Sequence, residues 1–248
     1  MNALLVRVGA DQSKAGGRFN GPVDSHTHKF AYVPIPESSD DIWREMVKKY
    51  STVNSALHPL GVELPRKLAE DKMHLDPDFN HLTYGDRTTR AIRIQTELTT
   101  GDLIVFYAGL RDVHPPVHSP PRLVYAIIGL YVIDEILPAS DVPSSRWDEN
   151  AHTRRKNIGP TDIVVRGKPG VSGRLERCIP IGDFRVPLGE PHKRESYRVE
   201  KNLLTTWGGL SNKDGFLQLS GYPPKFLDVS KFYAWFLDQK PTFITNNN

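Results

Sequence analysis

Gly101-Asp-Leu-Ile-Val-Phe-Tyr-Ala-Gly-Leu110, a proline-rich loop, and Arg122-Leu-Val-Tyr-Ala-Ile-Ile-Gly-Leu-Tyr-Val-Ile-Asp-Glu-Ile136 decide how the chain is read. Both apolar runs are rich in β-branched and aromatic residues and are bounded by Gly and Pro, the pattern of buried strands. Leu103–Tyr107 and Leu123–Ile133 are nearly continuous hydrophobe, so cover is expected on both faces. Gly129 interrupts the second run, where a strand glycine marks a bulge or a sharp bend. Two long strands with a kink suit a small closed or half-closed β-barrel.

Working outward, the chain reads as α+β with helical additions to that barrel. A strand is expected over Ala3–Val8, then a polar loop from Asp11 to Asp24, then a strand over Lys29–Ile35. Ser39 or Asp40 is placed to cap a helix over Ile42–Tyr50, with Ile42, Met46 and Val47 on one face. A short helix is expected over Pro65–Asp71, and one or two helical turns over Trp147–Lys156. Strands are expected at Asp162–Val165 and Arg177–Ile181, and a helix at Val229–Leu237 carries Phe232, Tyr233, Trp235 and Phe236 for packing. The last three asparagines are expected to fray. No repeat or composition break divides residues 1–248, so a single domain is expected.

Composition bounds the function. The 248 residues carry 38% hydrophobic and 25% charged side chains, as ordinary soluble proteins do. The lone Cys178 rules out an internal disulfide and a multi-cysteine zinc site, which points to a reducing, cytoplasmic setting. In an apolar strand it is expected to be a buried, inert thiol. The apolar run before Arg7 is short for a signal peptide, and no run reaches the roughly 18 apolar residues of a membrane span. The net charge of +3 is uneven. Residues 1–143 hold 15 Lys+Arg against 18 Asp+Glu, while residues 144–248 hold 17 against 11. A basic C-terminal part is compatible with a polyanion partner.

Two resemblances follow from these residues. Gly101-Asp102 entering an apolar run, followed by Ala126-Ile-Ile-Gly-Leu130, resembles the central hairpin of PUA-like domains, including the EVE, ASCH and YTH modules. That likeness implies a barrel that reads RNA or modified DNA bases. A wider set of blocks is similar to the third family of nucleotide modification associated domains. These blocks are Val6–Asp11 with Gly16-Gly17 and Asn20–Asp24, Phe30–Glu37, Leu75-Asp76-Pro77 with Phe79, Thr83–Asp86, Gly101-Asp102 with Phe106–Leu110, and Asn150–Arg155. They run in order over roughly residues 1–185. The resemblance implies a role beside DNA base modification or its recognition, often in conflict between phage and host.

Several segments are candidates for chemistry. In the Asp11–Asp24 loop, glycines flanked by Lys14, Arg18 and Asn20 can offer N–H groups and positive charge to a phosphate or base edge. It lacks the ending of a Walker loop. In the polar turn His74–Asp86, Asp76, Asp78, His81 and Asp86 have the chemistry to gather round a divalent ion or to act as acid and base, although Asp is also common in turns for its local hydrogen bonds. His114 with His118, and His26 with His28, suggest histidine pairs but fall short of the three or four ligands of a zinc site. No metal ion or cofactor is assigned. His152, Arg154 and Arg155 form the densest cluster, extended by Arg174, and arginine forks suit phosphate oxygens. Tyr84, Tyr107 and Trp207 are candidates for stacking on a base.

The sequence therefore points first to a protein that binds nucleic acid or a modified nucleotide, using Arg7, Asp11, Asn20, Asp24, Tyr84, Tyr107, His152, Arg154, Arg155, Arg174 and Trp207. An enzyme is the competing class, with Asp11, Asp86 and His152 as its catalytic candidates, and an adaptor for a modification enzyme is a third. A recogniser needs an aromatic-walled pocket. An enzyme needs a carboxylate or His within reach of the reacting atom, and Asp11 or Asp86 beside His152 would favour it.

Overall fold

The computed structural model describes residues 1–10, 19–115, 122–218 and 221–248. Twelve strands are β1 Ala3–Arg7, β2 Pro22–Val23, β3 Ile35–Pro36, β4 Met73–His74, β5 Thr83–Asp86, β6 Leu103–Asp112, β7 Leu123–Pro138, β8 Ile163–Gly167, β9 Gly173–Pro180, β10 Gly182–Arg185, β11 Ser196–Val199 and β12 Phe243–Ile244. Five α-helices are α1 Asn54–Leu57, α2 Arg66–Ala69, α3 Thr88–Glu97, α4 Lys201–Thr206 and α5 Val229–Asp238.

The hairpin read from Gly101 to Ile136 is the spine. β6 and β7 pair antiparallel, from Leu103 opposite Val132 to Arg111 opposite Leu123. β1 and β2 run parallel to β6 on its other edge. The far edge of β7 is shared: Ala126–Leu130 pairs with β9, and Ile133–Pro138 pairs with β8, which carries β5. The register slips where Ile128 is passed over, between Phe106 opposite Gly129 and Tyr107 opposite Ile127. This is the expected bulge. A β-carbon on Gly129 would come within 2.7 Å of Phe79 Cε1 and 2.9 Å of the Gly173 carbonyl, so only glycine lets these segments close.

The result is a large mixed sheet in the order β1-β6-β7-β8-β5, with β2, β9 and β12 attached. Among the described residues β1 and β5 are not paired with each other. No closed barrel forms among the described residues.

Strand alternation gives the sheet a core on each face. Leu4, Val6, Ile104, Phe106 and Ala108 point to one side, with Phe79, Tyr84, Ala91, Ile94 and Tyr131. Ala3, Leu5, Leu103, Val105 and Tyr107 point to the other, with Trp207, Phe226, Phe232 and Phe236. Each of the Val, Leu, Ile and Phe side chains among them contributes about 1.5–3 kcal/mol by leaving water. Cys178 is buried, as expected.

Three expectations need correction. Ile42–Tyr50 does not form one helix. Only Arg44–Met46 makes a 3₁₀ turn, because Ile42 bridges to Arg155, Trp43 N–H donates to the Arg154 carbonyl, and Lys49 bridges to Lys72. Its backbone groups are claimed by neighbouring segments rather than by the next turn. Lys29–Ile35 is not a continuous strand; Phe30 makes a lone bridge to Val23, and only Ile35–Pro36 pairs in β3. The terminal asparagines are also tied down. Asn247 accepts from Phe79 N–H at 2.7 Å, and Asn248 takes both the N–H and the carbonyl of Tyr32.

Candidate active site

Five segments place one polar cluster beside the first core. β4 pairs with β3, setting Ile35 opposite His74 and bringing Glu37 alongside. His74 and Asp76 are two residues apart in extended chain, so they project to the same side. β5 follows and pairs with β8, which brings up Asp162 just ahead of that strand. The loop after Glu149 is pinned to β5: Thr83 donates through Oγ1 to the Glu149 carbonyl, and Asn150 donates to Thr83 Oγ1 at 3.3 Å. Asn150 Oδ1 in turn accepts from His152 N–H at 2.9 Å, which sets the direction of that histidine.

The geometry is convergent. His152 Nε2 lies 3.7 Å and His74 Nε2 3.9 Å from the same atom, Asp76 Oδ2. The two rings meet edge to face with centroids 5.2 Å apart. Each Nδ1 faces its own carboxylate. His74 Nδ1 is 2.6 Å from Glu37 Oε2, and His152 Nδ1 is 3.2 Å from Asp162 Oδ2. The other Asp76 oxygen, Oδ1, accepts from Gly85 N–H at 2.7 Å and from Asn150 at 3.2 Å. Side chains of His74, Asp76 and His152 can each offer one atom to a shared ion within a 4.8 Å span. The residues retain 8%, 9% and 4% exposure, so water has narrow access.

Burial governs the charges. It pushes Asp76 up to about 7, and His152, Gly85 and Asn150 only partly offset it. It also lowers His74 to about 4, so that imidazole is neutral near pH 7. Burial raises Glu37 as well, but His74, the Ser39 N–H and Arg155 outweigh it and hold Glu37 at about 2. Asp162 is likewise held low: burial opposes the charge, and the contact with His152 prevails.

Two other candidates of the polar turn are already engaged. Asp78 is buried against Arg154 and also faces His81 at 3.3 Å. Asp86 accepts from the Tyr84 hydroxyl and lies 2.9 Å from Arg90 Nε.

The arginines expected to grip phosphate are spent inside the protein. Arg154 binds Asp78 and the Asp148 carbonyl. Arg155 lies 3.1 Å from Glu37, and Arg166 pairs with Glu135 and Glu149. Arg174 is buried over Phe30 and donates to the Asn246 carbonyl. Arg7 reaches the Gln218 carbonyl and the Tyr125 hydroxyl. Asn20 is buried and donates to Gly109, while Asp24 closes its own surface turn through His26 and Thr27. Asp11, Lys14, Gly16, Gly17, Arg18 and His118 lie outside the described residues. His26 and His114 approach to 5.8 Å at the surface.

The stacking candidates are core residues in this conformation. Trp207 is fully buried among Phe226, Phe232 and Trp235. Tyr107 is buried with its hydroxyl on the Leu217 carbonyl at 2.6 Å, and Tyr84 is buried on the other face. An aromatic pair not singled out from the sequence lies beside the cluster instead. Trp43 and Trp147 stack with centroids 6.1 Å apart, both half-buried, with Lys156 Nζ 5.6 Å from the Trp43 ring.

Sequence reasoning found Asp76 and His152 but did not join them, and it missed His74, Glu37 and Asp162 as members. One signal was present. His74-x-Asp76 in a non-helical stretch puts two ligating groups on one side of the chain.

Comparison with known proteins agrees with the wider set of blocks. The family described as nucleotide modification associated domain 3 matches residues 2–215, and the chain belongs to that family. No curated protein and no solved structure matches it. Among the described residues no helix is long and apolar enough to cross a membrane.

Proposed function

We propose that this nucleotide modification associated domain 3 protein is an enzyme that alters a nucleotide or a nucleic-acid base, with His74, Asp76 and His152 as its reacting centre. One observation carries the reading: two imidazoles, each backed by a carboxylate, aim their Nε2 atoms at one oxygen of Asp76. Purely structural ion pairs place a cation against an anion, as Arg154 and Asp78 do here. The His74–Asp76–His152 cluster instead leaves three ligating atoms facing a common gap, the arrangement of a site that receives something. The carboxylates beside His152 are Asp76 and Asp162 rather than the expected Asp11 or Asp86, since Asp86 is held by Tyr84 and Arg90 and Asp11 lies outside the described residues. Family membership supports the substrate class, since its description joins the domain to nucleotide modification. Single-domain organisation and a place in phage–host conflict belong to the same proposal.

The half-buried Trp43–Trp147 pair favours recognition as a second reading, because a nucleobase can stack on such a ring with Lys156 near its phosphate. The two readings part in one experiment. The protein is incubated with free nucleotides and with plain and modified DNA and RNA, with a mixture of divalent cations present, and products are read by mass. Product formed by the wild type and lost in His152→Ala supports the enzyme. Tight, selective binding without product, unchanged in His152→Ala but lost in Trp43→Ala, overturns it in favour of recognition.

A further inference from the structure

Resting on that reading of the centre, we propose that His74 Nε2, His152 Nε2 and Asp76 Oδ2 are the protein ligands of a divalent first-row transition-metal ion, with Glu37 and Asp162 holding the two imidazoles in place.

The first argument is the direction of the lone pairs. A ring whose Nδ1 faces a carboxylate carries its proton there, which leaves Nε2 as a bare acceptor. Glu37 hydrogen-bonds His74 Nδ1 at 2.6 Å, whereas Asp162 Oδ2 stands 3.2 Å from His152 Nδ1 without hydrogen-bond geometry, so the His152 ring must turn slightly to complete its pair. Asp76 has one oxygen occupied by Gly85 N–H and Asn150, and its second oxygen faces the rings. Two imidazole nitrogens and a carboxylate oxygen therefore meet in a buried place, and among the described residues no hydrogen bond to any of the three is found. Acceptors that face one another away from water need a positive charge between them.

The second argument is distance. Two donors bound about 2.1 Å from a shared ion stand about 3–3.5 Å apart for right to tetrahedral angles. The two separations from Asp76, 3.7 and 3.9 Å, exceed a direct hydrogen bond and lie a few tenths of an ångström outside that range, and all three atoms lie within 4.8 Å of one another. A small inward turn of the rings closes the set.

The donor atoms choose the class of ion. Two imidazoles with one carboxylate suit zinc, iron, cobalt or nickel, whereas calcium and magnesium prefer all-oxygen sites. Two histidines and one carboxylate also leave coordination positions open, as catalytic rather than structural centres do. Neighbouring carboxylates do not complete an oxygen cage, because Asp78 is taken by Arg154 and Asp86 by Tyr84 and Arg90.

Cobalt(II) is the probe, because its visible spectrum reports ligand type and number. The full chain is stripped with chelator and titrated, and zinc is then measured by competition. One equivalent is expected to bind with a nitrogen–oxygen spectrum. Asp76→Asn, His74→Ala and His152→Ala should each weaken binding by about 100-fold or more, while Glu37→Gln and Asp162→Asn weaken it by about 10- to 100-fold through ring orientation. Circular dichroism and melting of each variant separate lost ligation from lost fold. If a variant does not fold, paramagnetic shifts of the His74 and His152 imidazoles in the wild type decide the matter. Absence of binding to the wild type, or unchanged affinity in folded His152→Ala, overturns the proposal. Metal bound without any nucleotide product would leave this centre standing and remove the enzyme. Product formed in chelator and lost in His152→Ala would do the reverse.

Discussion

Gly85 lies against the edge of the His152 imidazole, so close that a β-carbon at position 85 would overlap Cδ2 and come within 2.9 Å of Cγ. The same glycine gives its N–H to Asp76 Oδ1. One residue without a side chain thus seats two members of the centre. Gly85→Ala is expected to push His152 aside and to abolish product formation, while the two cores on either face of the sheet keep the fold. Activity set against the urea midpoint checks this. Loss of stability with activity kept per folded molecule would contradict it.

Arg154 and Asp78 form a buried pair with 4% and 1% side-chain exposure. Arg154→Ala leaves the buried Asp78 charge with only His81 and Asn247 beside it and is expected to cost up to about 3–5 kcal/mol. Denaturant titration measures that loss. If Arg154 instead faced phosphate, its removal would flatten the salt dependence of nucleic-acid binding. No change in that slope is expected.

Trp207 fills the second core, between Phe226, Phe232 and Trp235. Trp207→Ala is expected to lose about 3–5 kcal/mol by opening a cavity. Trp207→Phe should lose clearly less. Equilibrium unfolding reads both, and the folded fraction should bind nucleotide as the wild type does.

Asp214 supplies a test with pH. Burial opposes its charge, but Arg185 at 2.6 and 2.9 Å and the Leu188 N–H outweigh it, so its folded value falls below the ordinary 3.8. A carboxyl lowered on folding adds stability that is fully present well above 3.8 and is lost as pH falls through the folded value. Asp214→Asn removes that contribution. The variant is expected to be less stable than the wild type by about 1–3 kcal/mol at pH 7, with the gap narrowing toward pH 3. Asparagine tolerates the left-handed backbone there, φ 53°, so the comparison isolates charge. Urea midpoints at the two pH values check it; a gap that widens in acid would refute it.

What was legible in the sequence divides by range. The β6–β7 hairpin and α5 were readable because their apolar residues are contiguous or helically spaced. Gly129 announced its bulge for the same local reason. Helix α3 carries little apolar signal because its buried stripe is Ala91, Ile94 and the charged Arg93. The failed helix at Ile42–Tyr50 shows the limit of such patterns, since its fate was decided by Arg155 and Lys72. Charge misled most. Arginines dense in sequence suggested an exposed grip, yet Arg154 and Arg155 each find an acid across the fold. Pairing of this kind leaves no trace in composition. The centre was half visible for the same reason: Asp76 and His152 stood out singly, and only the pairing of β3 with β4 and of β5 with β8 makes them neighbours.

That convergence bears on the order of events when the chain folds. Glu37 and Arg155 are 118 residues apart, and Asn247 and Asp78, next to the centre, are 169 apart. Contacts so distant are slow to form, because a long stretch of chain must be ordered before they reward it. The hairpin can assemble early from its own residues, whereas the centre is complete only when nearly every other element has docked. A refolding chain should therefore recover its strand signal before it recovers its centre. Damage anywhere along the path should register there first, which makes these few atoms a gauge of whether the whole molecule has arrived.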